Sequence, residues 1–140
     1  MKILIDTNIA IDVLLRQHPF FATGVKVFGL SKLGIALFLS ASTITDIYYI
    51  ISRTLKSKKI AMSLLKNLLA TVDIAAVTGN EIRQAISLDW GDFEDAVQYA
   101  AGEALAVDYI VTRNKRDFAS AVLPVVTPDE LLALLIPHDK

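Results

Sequence analysis

The 140-residue chain has no cysteine, and its only histidines are His18 and His138. The first absence excludes disulfides, thiolate metal sites and a cysteine nucleophile. Neither histidine has a neighbouring nucleophile or paired carboxylate in the sequence, so neither is assigned a role. A basic excess is missing too. Net charge is −1 and the pI is about 6.1, whereas proteins that hold nucleic acid through phosphate contacts alone are much more basic. No segment reaches the ~18 apolar residues of a membrane span, because Val25–Ala41 is interrupted by Lys26 and Lys32. The opening residues Met1 to Asp6 meet a carboxylate before a signal-peptide core can form, so a cytoplasmic protein is expected. Linkers rich in proline, glycine or serine, low-complexity runs and repeats are all lacking, and one domain over residues 1–140 is expected.

What the chain has in excess is apolar residues, at 54% against a usual ~45–50%. A parallel sheet covered on both faces would account for them, as would a surface that docks a partner. Five short apolar or β-branched runs read as doubly buried strands: Lys2–Ile5, Ala36–Ser40, Asp73–Val77, Asp108–Thr112 and Pro124–Val126. Between them the spacing predicts helices over Asn8–Arg16, Phe20–Leu33, Thr43–Leu55, Lys58–Thr71, Asn80–Leu88, Phe93–Ala106 and Pro128–Leu135. Phe21, Val25, Phe28 and Leu33 are expected to face inward from the second helix, and Met62, Leu65 and Leu69 from the fourth. Alternating strands and helices imply right-handed crossovers, helices on both faces and functional groups outside the carboxyl ends of the strands.

Four segments deliver carboxylates to that edge. Asp6-Thr7-Asn8 ends the first strand, and Asp46 is expected in the first turn after the second. Asp95 lies in the first turn of the helix leading into strand four, and Asn114 and Asp117 follow that strand. A bland reading competes: Thr43-x-x-Asp46, Asp92-x-x-Asp95 and Asn114-x-x-Asp117 have capping-box spacing. Thr78-x-x-Glu81 and Thr127-x-x-Glu130 share it and carry no assigned chemistry. Capping explains Asp6, at a strand end, less well. Clustered carboxylates repel unless something cationic compensates, and an all-oxygen cluster suits Mg²⁺ or Mn²⁺ better than zinc.

Asp-Thr-Asn after strand one, an acid early in the next helix, Asp-Phe-Glu-Asp-Ala before strand four and Thr-Arg-Asn-x-x-Asp-Phe after it resemble the PIN domain. The resemblance runs from Ile3 to Leu135 and is closest to the small VapC-type toxins of toxin–antitoxin pairs. It implies a three-layer α/β/α fold around a mostly parallel five-stranded sheet. It also implies Mg²⁺- or Mn²⁺-dependent RNA cleavage leaving a 5′-phosphate and a 3′-hydroxyl. Asp6, Asp46, Asp95 and Asp117 match the family's catalytic, metal-binding acids. Thr7, Asn8, Thr112, Arg113 and Asn114 are placed to contact substrate or brace the site. The chain departs from the family pattern at Asp46, where Glu is usual, and at Asn114, where Asp is frequent.

Arg113, Lys115 and Arg116 are positioned to meet an RNA backbone, while Arg53, Lys56, Lys58 and Lys59 read as solvated helix ends. The resemblance further implies an antitoxin partner and a homodimer. Ile47, Tyr48, Tyr49, Ile50 and Ile51 read first as core, and the apolar excess makes the face including Tyr48, Tyr49 and Ile51 the candidate for association. Competing readings are an RNA-processing nuclease without an antitoxin and a non-catalytic RNA-binding scaffold whose acids are only caps. An aspartyl phosphotransfer site wants a second Asp two residues after Asp6, where Asn8 stands.

Overall fold

The structure, a computed structural model, describes residues 1–136; His138 lies outside them. Five strands, β1 (Lys2–Ile5), β2 (Ala36–Ser40), β3 (Asp73–Ala75), β4 (Tyr109–Val111) and β5 (Val125–Val126), form one sheet in the order β3-β2-β1-β4-β5. Every pairing is parallel, with Leu4 opposite Phe38 on one side and Ile110 on the other. The helices are α1 (Thr7–Leu14), α2 (Phe21–Gly29), α3 (Ala41–Thr54), α4 (Lys58–Leu68), α5 (Gly79–Leu88), α6 (Phe93–Ala104) and α7 (Pro128–Leu135).

Strand alternation divides the core. Ile3, Ile5, Leu37, Leu39 and Val111 pack against α1, α2, α3, α4 and α7. Leu4, Phe38 and Ile110 point the other way, toward Tyr99 and Ala101 of α6. Both faces are covered, so the strands read as continuous apolar runs. None of the helices is long and apolar enough to cross a membrane, among the described residues.

Two helical faces differ from expectation. The second helix ends at Gly29, and a 3₁₀ turn, Leu30–Leu33, closes on Gly34 at φ 81°. Within α2 the buried stripe is Gly24, Val27 and Phe28, which leaves Val25 exposed; past Gly29 the tighter turn shifts the side-chain phase, burying Leu30 and exposing Leu33. A Cβ on Gly24 would stand 2.7 Å from Val13 Cγ2, so the glycine lets α2 approach α1. On α4 the inward stripe is Ala61, Leu65 and Leu68; Met62 and Leu69 are exposed. Ala61 is small enough to sit against α3, which turns the two larger side chains outward. Ile51 likewise belongs to the core rather than to an association face; Tyr49 and Ile50 are the exposed large apolar residues of that helix.

Candidate active site

The chain leaves β1 through Asp6, whose amide donates to Val111 O of β4 at 3.0 Å. Asp6 is the N-cap residue of α1, yet its carboxylate makes no capping hydrogen bond. Instead Oδ2 accepts from Thr112 Oγ1 at 2.8 Å and Oδ1 from Gln98 Nε2 at 3.2 Å. The Asn114 amide donates to the same Thr112 hydroxyl at 3.1 Å, tying the end of β4 to the end of β1.

Asp95 is the third residue of α6, with its amide held by the N-cap carboxylate of Asp92 at 3.1 Å. Gln98, one turn on, also donates Nε2 to Asp95 Oδ1 at 3.5 Å. One amide group thus bridges the two carboxylates, while its own Oε1 is buried without a partner. Asp117 sits in a 3₁₀ turn, Lys115–Phe118, and accepts from Asn114 Nδ2 at 3.1 Å. Phe118 anchors that turn against Trp90, which also stacks on Tyr99 of α6.

Asp46 stands farther along its helix than expected. Ser40, not Thr43, caps α3 by accepting from the Thr43 amide, which puts Asp46 in the second turn. Thr43 Oγ1 is instead shared with Ser40 and with Thr7 Oγ1 at 2.9 Å. Asp46 nevertheless reaches the same cleft, of about 390 Å³, lined by Asp6, Thr7, Asn8, Asp46, Tyr49, Ile50, Asp92, Glu94, Asp95, Gln98 and Asp117 among others. Six of the lining residues are acidic and none is basic.

Electrostatics separate Asp6, Asp46, Glu94 and Asp95 from true caps. Burial raises Asp6, and the nearby charge of Asp117 adds to it. Asp95 is pushed up to about 7, by burial first and then by the charges of Asp92, Asp6, Asp117 and Glu94. Burial raises Asp46, whose charge in turn raises Glu94. Glu81 and Glu130 are lowered, because each accepts from its capping-box threonine. Identical sequence spacing thus yields opposite electrostatics.

The structure does not bring Arg113 into the cleft. Its guanidinium clamps buried Asp12 of α1, with Nε at 2.7 Å and Nη2 at 3.3 Å, and lies over the Phe20 ring at 4.0 Å. Lys115 pairs with Glu130. Both had been expected to meet an RNA backbone; carboxylates on α1 and α7 occupy them instead. Sequence reasoning missed Gln98, Asp92 and Glu94. The signal for Gln98 was its position three residues after Asp95, on the same helix face.

Among the described residues no three acidic or histidine side chains converge tightly enough to enclose an ion as they stand. A Mg²⁺-like ion does not require that, since it binds through one or two carboxylates and keeps several waters. The donors here are all oxygens, their charges repel, and an amide N–H group already sits where Asp6 and Asp95 call for positive charge. These residues fit a small, hard divalent cation.

The PIN-domain family model matches residues 2–116. This chain belongs to the PIN-domain family. The PIN domain is 26% identical over 137 residues to Ribonuclease VapC1 of Aquifex aeolicus (strain VF5), covering 92% of each chain. Its fold resembles DNA-bound VapBC from Salmonella typhimurium, with TM-score 0.72 and 14% identity over 91% of this chain and 98% of the other. VapBC2 from Rickettsia felis, bound to a promoter DNA fragment, gives TM-score 0.70 and 18% identity over the same shares.

Proposed function

We propose that this PIN domain is a divalent-cation-dependent endoribonuclease acting as the toxin of a toxin–antitoxin pair. The observation that carries the reading is the cleft at the carboxyl edge of the sheet, with six acids, no base and an amide bridging two of them. The ribonuclease to which the chain is similar along 92% of both lengths supports the substrate class. The VapBC complexes among the fold neighbours support an antitoxin partner.

In this reading Asp6 and Asp95 hold Mg²⁺ or Mn²⁺, while Asp117 and Asp46 complete the negative surround. Bound there, the cation polarises a phosphate oxygen and lowers the pKa of water. Thr112 and Gln98 fix the Asp6 carboxylate, and Asn114 fixes Asp117. Thr7 and Asn8 present a hydroxyl and an amide to the scissile phosphate from the first turn of α1. Asp46 and Glu94 lie close enough for the charge of one to raise the other, and they supply proton acceptors and donors for attacking water and leaving oxygen. The apolar groove formed by Ile44, Tyr48, Met62, Leu65 and Leu69 between α3 and α4 is offered to the antitoxin, and a second copy of the chain completes a homodimer.

Purified protein is expected to cleave total RNA in Mn²⁺ and to lose that activity in EDTA. Full cleavage by EDTA-treated protein would overturn the cation mechanism.

A further inference from the structure

An acid-lined cleft repels the phosphates on either side of the one it cuts, so the strand needs cations elsewhere. Of the basic residues nearest the sheet edge, Arg113 is paired with Asp12 and Lys115 with Glu130, which leaves Arg116 exposed and without an ion pair among the described residues. Arg53, Lys56 and Lys58, at the α3–α4 hairpin, are exposed and form no ion pair among the described residues. Helix-dipole complementarity accounts for Arg53 in the last turn of α3. It does not account for Lys58, the first residue of α4, where a cation faces the positive end of the helix and no acid offsets it.

The hairpin and the cleft are continuous. Asp46, Tyr49, Ile50 and Arg53 recur at three- and four-residue intervals and form one stripe along α3. From Asp46 to Arg53 the rise is roughly 10 Å. Tyr49 borders the acidic cleft at one end and, at the other, a groove of about 410 Å³ that also includes Ser52, Arg53, Lys56 and Lys58. Tyr49 is 59% exposed, and its ring lies edge-to-face with Tyr48, 5.6 Å between centroids. An exposed aromatic between a catalytic cleft and unpaired cations is how single-stranded nucleic acid is held: a base stacks while the flanking phosphates meet lysine or arginine.

We infer that single-stranded RNA leaves the cleft along this stripe, with a base stacked on Tyr49 and its phosphates on Arg53, Lys56 and Lys58. The inference rests on reading the cleft as an RNA-cleaving site, and the two fail differently.

The test uses the Asp6→Asn chain as parent and follows the anisotropy of a short, fluorescent, single-stranded RNA of mixed sequence across a range of salt. Tyr49→Ala is expected to weaken binding about ten-fold or more, and Tyr49→Phe to stay within about two-fold, because the ring does the stacking. The triple variant Arg53→Gln, Lys56→Gln, Lys58→Gln is expected to reduce the slope of log affinity against log salt by about 2, at ~0.7 per contact on a single strand. Failure of either effect overturns the inference. So does a Tyr49→Ala variant that loses self-association or partner binding but keeps its RNA affinity, which would make this a protein interface. If the parent binds no RNA, the inference falls; the nuclease reading then survives only if wild-type protein still cleaves RNA in Mn²⁺.

Discussion

Replacing Asp95 with Asn is expected to stabilise the cation-free protein at pH 8 while abolishing cleavage. The Asp95 carboxyl is pushed from its ordinary 3.8 to about 7, first by burial and then by four neighbouring carboxylates. An acid that holds its proton more tightly in the folded than in the unfolded chain lowers stability once it ionises. Between pH 4 and 7 the folded chain binds the extra proton, so stability falls as pH rises through that window and stays low above it. The full displacement corresponds to about 4 kcal/mol, but the side chain is partly exposed and solvent screens it, leaving roughly 1–2 kcal/mol. Asn forfeits the favourable charge in the first turn of α6, about 0.3–1 kcal/mol. A net gain of about 1 kcal/mol, or roughly 3 °C in melting temperature, is therefore expected at pH 8 in EDTA. At pH 5 wild-type Asp95 is already largely protonated, so the gain shrinks toward zero. Mn²⁺ should raise the wild-type melting temperature and leave the variant little changed. Thermal melts at both pH values test this. A destabilised variant at pH 8, or the same difference at both pH values, would refute the electrostatic reasoning.

Arg113→Ala should destabilise the fold by about 3 kcal/mol, because it leaves the buried Asp12 carboxylate without its counter-ion; denaturant unfolding measures it, and a loss below 1 kcal/mol would contradict the pairing. Thr127→Ala should cost about 1 kcal/mol by removing the N-cap of α7, with cleavage retained, which melting and activity assays on one preparation check.

Local pattern announced the sheet and the neighbourhoods of four of its acids, because strand burial and first-turn placement are properties of adjacent residues. Asp6, Asp95 and Asp117 could be placed at one edge from strand order alone. Asp46 was placed near that edge but a turn too early, since Ser40 rather than Thr43 supplies the cap. Glu94 and Gln98 were hidden because their roles depend on which way α6 faces across the sheet. The fate of Arg113 was hidden for the same reason: its partner Asp12 lies 101 residues away and reads in sequence as one polar residue of an apolar helix. Capping-box spacing alone could not separate Asp95 from Glu130. Tertiary surroundings do, raising one carboxyl and lowering the other.

The central claim is that Asp6 belongs to a cleavage site and not to a set of helix caps. Asn caps a helix about as well as Asp and preserves the shape at this position, so Asp6→Asn isolates the charge. Cleavage of RNA in Mn²⁺ by this variant, with its fold checked by melting in EDTA, is the most direct test. The account predicts a folded protein without detectable activity; undiminished cleavage would contradict it and return the acidic cleft to a structural role.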